Sequence, residues 1–272
     1  MDIYTKPMGD FIKESKIPIR ILESETAIYM EMAEITADII IRNNDKKTVV
    51  ICPVGPIGQY PYLAQIINSK KINLKNVWFI NMDEYLDDSG NIIDYNHRLS
   101  FHKAMDEQFY NNMDPDLLMP KEQRSFPEPG REEAMDSLLD GFETIHCVLT
   151  SVGINGHIAF NEPPKEAERT SDAEFINTGT RCLDIAKETI VNNGSRKLGG
   201  ALDLFPKRCI TLGMKHILKA EMIKIYLYCD WHWGIMRKIA LGEETPSVPA
   251  SYLQSHKNSE MVITRALAEF IL

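Results

Sequence analysis

Apolar runs of strand length alternate with stretches of helical period along this chain. "TVVICPVG" (48–55) is β-branched and ends in glycine, "NVWFINMDE" (76–84) ends in acids, and "IHCVLTSVG" (145–153) runs into a glycine turn. "RCITLG" (208–213), "MIKIYLYC" (222–229) and "MVIT" (261–264) continue the series. Their apolar character is nearly continuous rather than alternating, which is the pattern of strands covered on both faces. Helices fit between them. "SETAIYMEMAEITADIIIRNN" (24–44) opens on a serine cap and repeats apolar residues at three- and four-residue steps. "QYPYLAQIINSK" (59–70) predicts a helix after the first glycine loop, with Pro61 in its first turn. "DWHWGIMRKIALGEE" (230–244) predicts another, interrupted at Gly234, and the polar "PKEQRSFPEPGREEAMDS" (120–137) reads as a loop leading into a helix. This rhythm predicts one α/β domain over residues 1–272, a doubly wound, mostly parallel sheet with helices on both faces in a Rossmann-like three-layer arrangement.

Composition narrows the class. A chain of 272 residues, 44% hydrophobic and 25% charged, can bury a substantial core. Its net charge of −9 argues against a broad nucleic-acid surface, because neutralising phosphates needs a basic face. A small phosphorylated ligand, held by a few local donors, stays open. The five cysteines, at 52, 147, 182, 209 and 229, form no CxxC pair, and an odd count without a disulfide pattern fits a reducing cytosol. The start "MDIYTKPMGDFIKESK" lacks the basic and apolar regions of a signal peptide, and no apolar run is long enough to span a membrane. The histidines do not cluster at metal-ligand spacing, so neither metal nor cofactor is expected.

In open parallel sheets ligands bind beyond the carboxyl ends of the strands. Three strand ends here are polar or glycine-rich: "PVGPIG", "NMDEY" and "SVGINGHIAFNEP". One aspartate after a strand is ordinarily a turn or cap residue, and one histidine ordinarily structural. Three such exits together point to a site. In the last of them Gly156 permits a tight turn that aims His157 into the strand-end cleft, with Glu162 one short loop further on. The structural alternative is a Gly-Asn turn with a helix-capping glutamate.

These residues resemble the glucosamine-6-phosphate deaminase (isomerase) family, whose members carry "NMDEY" at a strand end and "GHIAFNEP" after a later glycine turn. Here the two read 81–85 and 156–163; "LSFHKAM" (99–105) and "SVPASYLQSH" (247–256) are similar to further family segments. The resemblance runs from about residue 20 to about residue 265 and rests on long identical motifs. The related 6-phosphogluconolactonases typically carry "GHTASLFP" at the glycine-histidine turn, so the deaminase branch fits better.

The resemblance implies a soluble, cytoplasmic aldose–ketose isomerase that also deaminates, counted among the hydrolases. Its substrate would be an aminosugar, glucosamine 6-phosphate in the first instance. By match to the motifs, Asp83 is the base that moves a proton from carbon 2 to carbon 1, and His157 opens the ring, oriented and polarised by Glu162. Asn155 stands where many members carry aspartate; it removes a negative charge near His157 and can still accept a hydrogen bond. Gly55, Gly58 and Gly156 are the glycines expected against the substrate. The phosphate loop departs from the family: "PVGPIGQYP" (53–61) has no hydroxyls at the usual positions, and Pro56 removes a backbone donor. The family's phosphate arginine falls on Ala186 beside Lys187, its lysine falls near His232, and Arg181 matches an arginine with no phosphate role. Either Lys187, His232 or Arg237 substitutes, or the pocket is rebuilt around Tyr60, Trp231 and Trp233 for an aminosugar without that phosphate. A lactonase on the same scaffold and a sugar sensor without turnover are the competing functions. A homo-oligomer is compatible with all of them.

Overall fold

The computed structural model describes residues 3–165 and 170–270. The strands are β1 (Ile19–Leu22), β2 (Thr48–Cys52), β3 (Val77–Asn81), β4 (Asp83–Leu86), β5 (Arg124–Ser125), β6 (Cys147–Thr150), β7 (Arg181–Asp184), β8 (Arg208–Thr211), β9 (Ile223–Leu227) and β10 (Ser259–Thr264). Seven form one sheet in the order β1-β10-β9-β6-β2-β3-β5, with every pairing parallel. The other three make a small antiparallel sheet, β4-β8-β7. The helices are α1 (Met8–Glu14), α2 (Glu25–Arg42), α3 (Gln59–Lys70), α4 (Phe101–Gln108), α5 (Glu132–Asp140), α6 (Asp172–Ile176), α7 (Lys187–Lys197), α8 (Met214–Leu218), α9 (His232–Leu241) and α10 (Arg265–Ala268).

All five residues of β2 are buried, and its four apolar residues divide between two cores. Val50 and Cys52 pack with Met32 and Ile40 of α2 and with Leu63 and Ile67 of α3. Val49 and Ile51 face the opposite cluster, which holds Phe11 of α1, Leu139 of α5 and Met236 and Ile239 of α9. A strand whose alternate residues enter different cores must be apolar throughout, so the continuous runs are the direct signature of this three-layer α/β architecture. The serine cap of α2 is present: Ser24 Oγ accepts from Ala27 N at 3.2 Å. The α3 helix spans the expected residues, 59–70.

Several expectations need correction. "NVWFINMDE" is two strands rather than one. The chain changes sheets at Met82, whose N–H donates to Cys52 O (3.1 Å) while its carbonyl accepts from Leu212 N (2.8 Å). "RCITLG" supplies β8, which belongs to the small antiparallel sheet. Gly234 lies inside α9 without interrupting it. The 120–137 segment holds a short 3-10 turn and the edge strand β5 before α5. β1 and β7 carried no continuous apolar run because their residues are only half-buried or exposed. Arg20 of β1, for instance, pairs with Glu31 and Glu260 at the sheet edge.

Candidate active site

The switch at Met82 puts Asp83 at the junction of the two sheets, where the carboxyl ends of β2, β3 and β6 open into a cleft. Asp83 is 7% exposed and lines that cleft together with His157, Pro53–Pro56, Phe160, Lys197 and Trp231. Burial pushes its carboxyl up to about 7, helped by the neighbouring Glu84 charge and opposed by His157 and Lys197. Glu84 points the other way and is fully buried. Its carboxylate accepts from the backbone N–H groups of Tyr85 (2.8 Å), Phe101 (2.9 Å) and His102 (3.0 Å), and lies 2.8 Å from His102 Nδ1. Of the adjacent acids, one serves the cleft and the other ties β4 to the start of α4.

His157 is set by a turn that closes on itself. Gly153 N donates to His157 O, and Gly156 N donates to Gly153 O, each at 2.9 Å. Gly156 has φ +87°, the left-handed conformation the turn requires. Gly153 lies under the imidazole, and a Cβ there would overlap the ring. Downstream the motif is pinned to the small sheet: Phe160 N donates to Thr211 Oγ1 (3.1 Å), and Asn161 Nδ2 donates to Leu212 O (2.9 Å). Ala159, just before them, adopts φ +54°, a local strain held at the cleft wall.

Glu162 sits behind the histidine, off the cleft. Its Oε2 is 2.9 Å from His157 Nδ1 and accepts from Asn155 Nδ2 at 2.6 Å, while Oε1 accepts from Ala186 N at 3.3 Å. Burial alone would raise the glutamate's pKa. The imidazole's charge and the hydrogen bonds from His157 and Asn155 outweigh it and hold the carboxyl down to about 2. Burial likewise disfavours a charged His157, but the Glu162 charge and hydrogen bond, with Asp83 beyond, raise its pKa overall. With Nδ1 engaged by a carboxylate, Nε2 is the nitrogen left for the cleft. Asn155 also accepts from His157 N through Oδ1 (3.3 Å), so its side chain bridges both members of the pair.

The expected substrate-binding residues fare unevenly. Gly55 lines the cleft; Gly58 does not, and serves instead to admit the Tyr29 ring against the start of α3. Gly156 shapes the turn behind the cleft wall, packed on Val248 and Ile235. Lys187 is exposed at the start of α7 and is not a lining residue. His232 lines the cleft but carries no charge for an anion. Burial pushes its pKa down to about 3, Nδ1 accepts from the N–H groups of Tyr228 and Cys229, and Nε2 faces Val152 O and Ser151 Oγ at 3.2 Å. Arg237 is buried elsewhere, donating to Ile3 O and Lys6 O. Arg181 Nη1 donates to Gly179 O. Tyr60 holds the loop from behind by donating to Pro53 O (2.6 Å), and Trp233 stacks on Tyr4 in the core. Of the three aromatics only Trp231 faces the cleft.

The cations that do line it are Arg196 and Lys197, at the last turn of α7. Both lie outside every motif recognised in the sequence. Their one signal is a basic pair closing a helix directly before Gly199 and Gly200, both left-handed. Among the described residues no group of histidine, cysteine or acidic side chains could hold a metal ion, and no helix is long and apolar enough to cross a membrane.

A carboxylate titrating near neutrality and a carboxylate-backed imidazole, converging at the strand ends of a parallel sheet, define an acid–base enzyme of the three-layer α/β class. No protein-family profile matches the chain. A glucosamine-6-phosphate deaminase of Mycoplasma mycoides subsp. mycoides SC is 30% identical over 258 residues, covering 91% of this chain and 95% of that protein. One from Clostridium perfringens strain 13 is 27% identical over 252 residues, covering 90% and 98%. Among solved structures, a monomeric glucosamine-6-phosphate deaminase superposes with a TM-score of 0.78 at 23% identity, over 92% of this chain and 98% of that one. The 6-phosphogluconolactonase of Thermotoga maritima shares the fold more distantly, with a TM-score of 0.62 at 16% identity over 91% and 99%. The chain belongs to the glucosamine-6-phosphate deaminase family.

Proposed function

We propose that this chain isomerises and deaminates glucosamine 6-phosphate to the ketose 6-phosphate and ammonia. The observation that carries the reading is that Asp83 and His157 line one cleft, with Glu162 fixed behind the imidazole. His157 exchanges a proton with the ring oxygen through Nε2, opening the sugar to its aldehyde. Asp83 takes the proton from carbon 2 and returns it to carbon 1, which leaves an imine at carbon 2. Water adds to that imine and ammonia departs, a hydrolytic last step. A base whose pKa lies near 7 is ionised at working pH yet able to hold the proton between the two carbons. Glu162 and Asn155 are positioning residues: they keep Nδ1 engaged and the ring fixed.

The phosphorylated substrate is favoured over a neutral aminosugar by Arg196. Its guanidinium stands 5.5 Å over the Trp231 ring and 3.2 Å from Cys229 Sγ, on the cleft wall shared with the Gly55 loop. A guanidinium there supplies the charge that the hydroxyl-free loop lacks. Folding as one unit is supported by the pairing of β1 with β10, which joins the two ends of the chain. The five free cysteines support a reducing compartment such as the cytosol.

The test is release of ammonia and ketose from glucosamine 6-phosphate between about pH 6 and about pH 9, beside D83N, which should lose about 10²–10⁴-fold in kcat. No product from the wild type anywhere in that range refutes the reading. Turnover of D83N near the wild-type rate removes Asp83 from the role of base.

A further inference from the structure

Arg196 and Lys197 are consecutive, yet they serve opposite ends of the cleft. Arg196 reaches Cys229 and Trp231, whereas the Lys197 ammonium lies 5.8 Å from the Phe101 ring. Phe101 packs on Tyr85 and Phe160, and Phe160 on His157, so Lys197 stands on the side where Asp83 and His157 meet. Lys197 is half-buried, and among the described residues no salt bridge to a carboxylate accounts for holding its charge there. It is close enough to Asp83 for each to act on the other's ionisation. A cation set beside the base, inside the cleft and away from the anion end, has a task in the chemistry.

We propose that Lys197 is a further catalytic residue, whose ammonium donates a hydrogen bond to the substrate's O1 while Asp83 removes the proton from carbon 2. This rests on the deaminase reading. In that step the electron pair of the C2–H bond forms the C1–C2 double bond, and the C1–O1 π pair moves onto O1. The proton sits on Asp83, and negative charge builds on O1, where no other cation of the described cleft is placed to meet it. Lys197 meets that charge as it forms; as Asp83 protonates carbon 1, the amine lone pair makes the C2–N double bond, the resulting iminium passes a proton to O1, and Lys197 gives the hydrogen bond up with its own proton retained. A fixed donor at the atom that gains charge stabilises the transition state more than the bound sugar, so its loss falls on kcat.

Wild type, K197M and K197R are compared with glucosamine 6-phosphate, following kcat, KM, the pH profile and incorporation of solvent deuterium at the transferred position. The charged groups around Asp83 are Glu84, His157 and Lys197, with Arg196 beside Lys197. Removing Lys197 removes a charge that favours ionised Asp83, so the acid limb of the K197M profile moves to higher pH. K197M should lose about 10²-fold in kcat with KM changed only a few-fold, slow its deuterium incorporation in parallel, and recover part of the rate as K197R. A K197M enzyme with kcat within about threefold of wild type and a raised KM overturns the proposal, leaving Lys197 as an anion holder. Loss of activity in both variants with an unmoved acid limb overturns it too. An inactive wild type is a different result: it sinks the deaminase reading itself.

Discussion

At the scale of single residues, Gly153 decides how His157 can face the substrate. The position lies under the imidazole, and any Cβ there would overlap the ring. A methyl group cannot be absorbed by the glycine's own turn, because Gly153 N is tied to His157 O and its carbonyl to Gly156 N. The ring must move instead, and a displacement near 1 Å at a catalytic group costs about 10²-fold in rate. G153A is therefore expected to retain its circular dichroism spectrum and lose about 10²-fold in kcat; wild-type kcat in that variant would show that the ring position is not critical. This contact was invisible in the sequence, where Gly156 drew attention as the glycine next to the histidine. The residues proposed for the chemistry, Asp83 and His157 with Glu162 behind, were legible because they follow apolar runs in long, specific motifs. The cations were not. Lys187 and His232 were chosen by column, but a column does not say which end of α7 faces the cleft, or that burial leaves His232 neutral. Arg196 and Lys197 reach the site only because α7 runs back over it.

At the scale of elements, central strands announce themselves and peripheral ones do not. β2, β6, β9 and β10 are buried on both faces and were read from their continuous apolar runs. Edge and small-sheet strands such as β1, β5 and β7 are half-exposed; β1 and β7 carry arginine or aspartate among their apolar residues and β5 is only Arg124–Ser125, so period and hydrophobicity are both diluted. The most consequential missed boundary is the break at Met82, because it carries Asp83 and Glu84 out of the large sheet to its junction with the small one, where strand alternation turns them to opposite faces. Glu84 then works as a buried cap for α4 alongside Ser100, whose Oγ accepts from Lys103 N at 3.2 Å. Glutamine at 84 has the same shape, but it loses the charge and turns an NH2 toward backbone N–H donors. Hydrogen bonds to a charged group contribute about 1.5–3 kcal/mol, so E84Q is expected to lose about 2–3 kcal/mol in urea denaturation. The same variant lifts a negative charge away from Asp83, so in the folded fraction the acid limb of activity should move to lower pH. Unchanged stability together with an unchanged limb would mean that Glu84 neither anchors α4 nor acts on the base.

At the scale of the whole molecule, the site is in tension with the fold that holds it. Glu162, held down to about 2, contributes stability that is present above its unfolded value near 4.5 and is lost as pH falls toward 2. His157, with its pKa raised, contributes stability that is complete below about 6.5 and fades as pH rises through its folded value. Asp83 runs against both. Its folded pKa of about 7 exceeds the ordinary 3.8, so between those values the native state binds more protons than the unfolded chain. Stability must fall as pH rises across that window and stay reduced above it. The pH at which the base becomes ionised and turnover begins is thus the pH at which its burial costs most, as expected where function requires a group the fold would rather keep neutral. D83N removes the cost while keeping the shape. It should therefore unfold at higher urea than wild type at about pH 8, by on the order of 1–3 kcal/mol, and match wild type at about pH 3, where Asp83 is largely protonated in both states. An inactive variant that is more stable only in the alkaline arm identifies the ionised carboxylate as the source. A D83N variant no more stable than wild type at the higher pH would show that Asp83 ionises without strain, and the argument for a base tuned by burial would fail with it.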